Sequence, residues 1–235
     1  MPPPTAARDD RAAASFLLTF RNSPEMRLVR AFDDASSSPA RPFLDASLAL
    51  GIRANAEGWN SRGVAIDDTR RARCEADCAG ADACLADCAE QGVDVFVANR
   101  SPATLLVGTT PGSAEGVSTD DLPRFFDAVP VALGASRVVI GDVIGLDGRP
   151  ARRVFVVCFD SRQIFVYDPR AHRVESVIRT GRGPQALAVD DIHGHGYVAH
   201  FTDSYLGVVD LDQRSPTYGE MVLTIGQPTP PRASK

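Results

Sequence analysis

The 235-residue sequence predicts an all-β protein of about four repeated, four-stranded units, and three observations carry that expectation. The stretch from Arg153 to Asp190 reads as three apolar, strand-like runs broken at Asp160-Ser161, Asp168-Pro169 and Gly181 to Pro184, each break rich in turn formers. The pattern returns without a gap at an offset of 42, which sets Phe155 on Tyr197, Phe159 on Phe201, Ile164 on Leu206 and Asp168 on Asp210. Gly51, Gly134, Gly181 and Gly226 then close four units.

Residues 1–14, with Pro2-Pro3-Pro4 and an Ala/Arg/Asp mixture, lack both period and core-forming side chains and read as a disordered arm. The first strand is expected near Ser15, because SFLLTFRNSPEMRLVRAF resembles the later VFVANRSPATLLVGTT once a single-residue insertion is allowed. SSSPARP at 36–42 reads as a loop, and LDASLALG at 44–51 matches FDAVPVALG at 126–134. Short motifs follow the first three closing glycines: RGVAIDD at 62–68, RVVIGDV at 137–143 and QALAVDD at 185–191, aligning Asp67, Asp142 and Asp190 at the ends of equivalent strands. One unit is thus a short strand ending in Asp, a turn, and three longer strands ending in Gly. Its length of about 45 residues is the period of a β-propeller blade.

The repeats occupy 15–226, with an inserted segment at 69–92, a polar insertion at 110–123 and a flexible tail at 227–235. With no inner strand before Phe16 and none after Gly226, the expectation is an open or partial ring, or a piece of a longer propeller. Free blade edges of such a ring favour self-association.

VFVAN at 95–99, IFVYD at 164–168, GRGPQALAVD at 181–190 and GYVAH at 196–200 resemble YVTN-type β-propeller repeats. Units of that family run as aromatic-Val-x-Asn, a polar turn, Val-x-Val-x-Asp, Gly-x-x-Pro and a Val-Asp strand. The resemblance covers about Phe16 to Gly226, is strongest after Val93, and departs from the family where Cys158 and His200 replace the usual Asn. It implies blades. Propellers of this kind serve binding, scaffolding and several enzyme families, so it implies no single activity.

A net charge of -5 gives no electrostatic reason to expect nucleic acid or an anionic membrane. Lys235 is the single lysine, which removes P-loop and Schiff-base chemistry. No apolar run approaches the roughly 18 residues of a membrane span, and Met1 to Asp10 lacks the basic start and apolar middle of a signal peptide. Gly181-x-Gly183-x-x-Ala186 imitates a dinucleotide fingerprint, but Pro184 and LAVDD follow where a helix is needed, so no cofactor is expected. Gly-x-Ser-x-Gly and His-Glu-x-x-His motifs are missing.

Four of the five cysteines, Cys74, Cys78, Cys84 and Cys88, fall in RARCEADCAGADACLADCAE. On two short helices turned at Gly80, each x3-spaced pair shares a face and four sulfurs converge. Helices of about two turns are unstable alone in water, so a crosslink is expected. Disulfides Cys74–Cys88 and Cys78–Cys84 lead, a four-thiolate metal site is the alternative and free thiols come third; spacing does not fix the pairing. Oxidised pairs imply an extracytoplasmic compartment, whether periplasm, cell surface or exterior. Cys158, inside VFVVCF, reads as a buried small hydrophobe. His193 and His195 belong to a glycine turn and strand alternation turns His200 to the opposite face, so turn residues are a better reading than metal ligands.

The alignment on the three aspartates puts Arg62, Arg137 and Gln185 at one position, the start of the strand nearest the propeller axis. Gly63, Ala65, Ala186 and Ala188 follow, as crowding at an axis requires. Arginines there would form a donor-rich rim for carboxylate or phosphate groups, with Trp59 as an apolar wall. The competing reading pairs each arginine with an aspartate of the neighbouring blade. A non-enzymatic binding or scaffold propeller of the cell envelope or exterior follows, its partner a protein or an anionic small molecule. The alternative is a lactonase-like or oxidoreductase-like propeller enzyme, which needs titratable groups converging near the axis, whereas Asp67, Asp142 and Asp190 read as repeat-wide turn residues.

Overall fold

A computed structural model of the protein describes residues 14–20, 25–32, 43–51, 59–78, 80–89, 92–110 and 123–226. The expected arm through residue 13, most of the 110–123 insertion and the tail lie outside the described residues. Four antiparallel sheets follow one another along the chain, each with its strands in sequence order. The first holds β1 (Ala14–Thr19), β2 (Glu25–Phe32) and β3 (Phe43–Gly51). The second holds β4 (Trp59–Asp67), β5 (Val93–Ser101), β6 (Ala103–Thr110) and β7 (Arg124–Pro130). The third runs through β8 (Ala135–Ile144), β9 (Pro150–Cys158), β10 (Gln163–Asp168) and β11 (Arg173–Arg179), and the fourth through β12 (Pro184–Asp190), β13 (His195–His200), β14 (Leu206–Asp210) and β15 (Met221–Ile225). These are blades of a partial β-propeller. Three have the expected four strands, and the first has three among the described residues.

Cores form between blades. Val154, Val156 and Cys158 of β9 face blade 2, where they bury Phe96, Ala98, Leu105 and Val107. Phe155 and Val157 point the other way, onto Leu187, Val198, Val209 and Leu211 of blade 4. The unbroken run VFVVC is therefore a strand covered on both faces, where alternation between apolar and polar residues has no solvent side to record. Cys158 is fully buried, and burial pushes its thiol up to about 11, so it remains a neutral, packed side chain.

The middle hairpins superpose by register. Phe96 pairs with Val107, Phe155 with Val166 and Tyr197 with Val208, as the aligned aromatics require. The inner strands depart from the expected alignment. Asp67 pairs with Asp94 and Asp190 with His195, but at the matching place in blade 3 it is Gly141 that pairs with Arg153, while Asp142 lies one residue further on. At the opposite end each inner strand carries a bulge, and the unpaired residues are Arg62, Ser136 and Gln185. Arg137 instead pairs with Val157. Blade 3 has thus slid by one residue relative to its neighbours, and aligning on the aspartates hides the slip.

Crowding of the inner strands has an atomic form. A Cβ on Gly63 would stand 3.0 Å from the Arg137 Cα, and one on Gly141 would stand 2.8 Å from the Val189 Cβ. The aspartates that end strands close turns: Asp168 Oδ1 accepts from the backbone N–H of Arg170 at 2.8 Å, Asp190 Oδ1 from His193 at 3.0 Å and Asp210 Oδ1 from Asp212 at 2.9 Å.

His195 begins β13, one residue ahead of the expected start, and His193 Nδ1 meets Asp190 Oδ2 at 2.8 Å. His200 is buried, stacks on Tyr205 at 4.2 Å, and its Nε2 accepts the Gly181 N–H at 3.1 Å. Burial holds its pKa below the usual histidine value of about 6.5, so the fold favours the neutral ring. Because the unfolded chain binds that proton more readily, stability is highest above the unfolded pKa and falls as the pH drops through it. Urea midpoints at pH 7.5 and 5.5 should show this loss in the wild type and a smaller one in His200→Gln, which keeps an acceptor without a titration in that range. Equal losses in both proteins would assign the effect elsewhere.

The insertion between β4 and β5 folds as α1 (Thr69–Asp77) and α2 (Asp82–Ala89), turned at Gly80 with φ of +85°. Disulfides join Cys74 to Cys88 and Cys78 to Cys84, with Cα separations of 5.6 and 5.5 Å. The sulfurs of Cys78 and Cys88 lie 3.3 Å apart, so the two bonds form one cluster.

Candidate anion site at the bulged end of the inner strands

Arg62, Arg137 and Gln185 line one cavity of about 400 Å³, although only Arg62 and Gln185 share a register position. A bulge re-aims the side chain of its extra residue, which turns Arg62, Ser136 and Gln185 out of the ladder on three successive blades. The one-residue slip of blade 3 then brings Arg137 to the same space as Ser136. Thr19 of blade 1 completes the wall, so side chains from all four blades converge there. The lining contains no carboxylate. Trp59 begins β4 opposite Ser101, and its side chain lies outside the described residues.

Arg100 and Phe159 also line the cavity, and the sequence reading passed over both. Arg100 Nη2 reaches Asp160 Oδ2 at 2.5 Å, an ion pair between blades 2 and 3 of the kind expected for the rim arginines. Its signal lay in the sequence at the far end of the strand following RGVAID, but only strand pairing shows that this end folds back beside Arg62. Ser136 Oγ donates to the Val157 carbonyl at 3.0 Å, leaving its side chain engaged. Arg137 is exposed and forms no ion pair among the described residues.

The other end of the inner strands mixes both signs of charge, with Arg70, Arg73, Arg152 and Arg170 among its aspartates. A cavity of about 670 Å³ lies beneath the two helices, with Asp67, Asp94 and Asp142 on the blade side and Cys74 and Cys84 on the helix side. Arg152 bridges the blades: its Nε stands 3.4 Å from Asp67 Oδ2 and 3.3 Å from Asp142 Oδ1, and its Nη2 donates to Thr69 Oγ1 at 2.7 Å. Arg70 meets Asp94 at 2.6 Å, while burial raises the Asp94 pKa. Two of the three aligned aspartates therefore converge on a shared guanidinium, and the third, Asp190, is occupied by its own turn and His193. Here an arginine does pair with a neighbouring blade's aspartate, and the residue is Arg152.

No known protein family matches the sequence, and no curated protein does. Solved structures match at low identity. A protein from Lactobacillus plantarum aligns with a TM-score of 0.49 and 16% identity, covering 98% of this chain and 56% of its own. Hydrazine synthase of Kuenenia stuttgartiensis aligns at 0.47 and 12%, covering 95% and 52%. Apo AztD from Citrobacter koseri aligns at 0.45 and 14%, covering 92% and 47%. The chain spans about half the length of these structures.

Proposed function

We propose that this protein is a β-propeller binding protein of an oxidising, extracytoplasmic compartment, and that it receives an anionic group at the bulged end of its inner strands. The observation that carries the reading is a cavity shared by four blades, lined by Arg62, Arg100 and Arg137 without a carboxylate. Guanidinium groups present planar pairs of N–H donors that match carboxylate and phosphate oxygens. Arg100 is committed to Asp160, which makes Arg137 the exposed donor at the mouth and Gln185 a neutral partner beside it. The ligand is a small carboxylate or phosphate, or such a group on a protein partner. Two disulfides within the helical insertion support the compartment.

Calorimetric titration with citrate and with inorganic phosphate tests the reading. Wild-type protein should bind at least one of them, and Arg137→Gln should weaken that affinity about tenfold, the equivalent of about 1.4 kcal/mol. Because a lysine is a point charge without the planar fork, Arg137→Lys should recover only part of the loss. Wild-type protein that binds neither probe, or an Arg137→Gln protein that binds as well as wild type, would remove the proposal.

A further inference from the structure

The helical insertion sorts its four disulfide sulfurs into two environments. Cys78 and Cys88 are buried, at 6% and 0% exposure, whereas Cys74 and Cys84 are partly exposed and line the cavity of about 670 Å³ beneath the helices. Each disulfide joins one cysteine of either kind, Cys74 to Cys88 and Cys78 to Cys84. The two buried sulfurs belong to different bonds, yet they stand 3.3 Å apart, and the Cys78 sulfur lies within 4.8 Å of both sulfurs of the other bond. Disulfides exchange when a thiolate attacks one of their sulfurs, so the outcome depends on which thiolate each opening releases and on what that thiolate faces.

We propose that the insertion is a thiol–disulfide exchange site, which accepts two electrons from a small dithiol entering the cavity. One thiolate of the dithiol attacks Cys84, forming a mixed disulfide and releasing the Cys78 thiolate against Cys88. Cys78 then attacks Cys88, which forms a Cys78–Cys88 bond and releases Cys74 into the cavity, where it takes up a proton. The second thiolate of the dithiol attacks the mixed disulfide and displaces Cys84, which is protonated in turn, and the dithiol leaves as a disulfide. The dithiol has lost two electrons and two protons, and the protein has gained both: two disulfides have become one disulfide and two thiols. Attack on Cys74 instead releases Cys88 against Cys78 and ends at the same product, so the result does not depend on which cavity-lining sulfur is struck first.

Three features fit this chemistry. The new bond requires the 3.3 Å between Cys78 and Cys88 to shorten to about 2.05 Å, a small movement for two side chains already in contact. Four arginines and four aspartates line the cavity, so no net charge repels an incoming thiolate. Finally, every pairing along the sequence joins α1 or its C-terminal cap, Cys78, to α2, so helices too short to stand alone keep a crosslink throughout. The exchange is independent of the anion cavity at the other end of the inner strands.

The test treats the folded, oxidised wild-type chain with one equivalent of dithiothreitol under anaerobic conditions, then quenches with N-ethylmaleimide and maps the peptides by mass spectrometry. Cleavage at acidic residues separates all four positions, because Glu75 and Asp77 lie between Cys74 and Cys78, Asp82 between Cys78 and Cys84, and Asp87 between Cys84 and Cys88. The expected product carries the label on Cys74 and Cys84 and contains a linked peptide pair joining Cys78 to Cys88. Label on Cys74 and Cys88 with the Cys78–Cys84 bond intact, or on Cys78 and Cys84 with the Cys74–Cys88 bond intact, would mean that each disulfide opens by itself, and would overturn the proposal. A folded chain that dithiothreitol does not reduce would overturn it equally.

Discussion

Phe155→Ala is expected to destabilise the protein by about 3–5 kcal/mol, the range for removing a fully buried aromatic ring. Phe155 has no exposed surface and sits among Val143, Val157, Ile164, Val166 and Ile178 of its own blade, with Leu187 and Val198 of the next. The substitution removes apolar area that both blades had withdrawn from water and leaves a void that neither can refill, because β9 is held on its other face by Phe96 and Tyr167. For a chain of this length the loss corresponds to a fall in melting temperature of about 10 °C. Thermal unfolding followed by circular dichroism measures it. A fall of only 1 or 2 °C would mean that blades 3 and 4 do not share a core.

Arg153→Ala is the second large effect. Arg153 is 8% exposed; its Nε donates to Glu175 Oε2, its Nη1 to the Arg152 carbonyl at 2.8 Å, and its Nη2 stands 3.6 Å from Asp168 Oδ2. Gln213 of blade 4 donates to the other Glu175 oxygen, so the cluster ties two blades together. Removing the guanidinium strands the Glu175 carboxylate against the Tyr218 side, where burial and Glu175 already raise the phenol pKa. Breaking a buried pair by deleting one partner costs about 3–5 kcal/mol; with Glu175 keeping roughly a fifth of its side chain in water, about 3 kcal/mol is expected. Arg153→Met together with Glu175→Gln should recover part of the loss, since the Glu175 charge is removed with its partner while Asp168 still loses its more distant one. Equal stability of the single and double variants in urea would deny that the ion pair is what matters.

How the fold could be read from the residues depends on what each signal measures. Repeated turns and the gapless match between Arg153 and Asp210 report the hairpins, and the register of Phe155 on Tyr197 follows because neither hairpin contains an insertion. Inner strands are another matter. Arg62, Ser136 and Gln185 occupy bulges, and a bulge adds one residue without changing composition, so the Asp67 and Asp142 alignment looked as sound as that of Asp67 and Asp190. The rim arginines were legible as a chemical type at the start of strands, whereas Arg100 and Phe159 reach the same cavity from the far ends of β5 and β9. Arg152 had no signal at all: its role depends on two aspartates brought together across a blade boundary. The cysteine pairing was open because helix spacing places four sulfurs together without choosing between partners, a choice made by how the turn at Gly80 orients the two helices.

The two large inter-blade cores have no residue in common, because they occupy opposite faces of the same strand. Energetically the molecule is then a line of units with nearest-neighbour couplings, and its stability is a sum of blade and junction terms rather than one indivisible quantity. Of these two couplings, opening blade 4 breaks one. Opening blade 3 breaks two, so amide protons of β9 should exchange last and those of β15 early, with a gradient between. An injury at one junction reaches the other only by unseating blade 3, which makes that blade the keystone of the array even though it carries neither of the inserted segments.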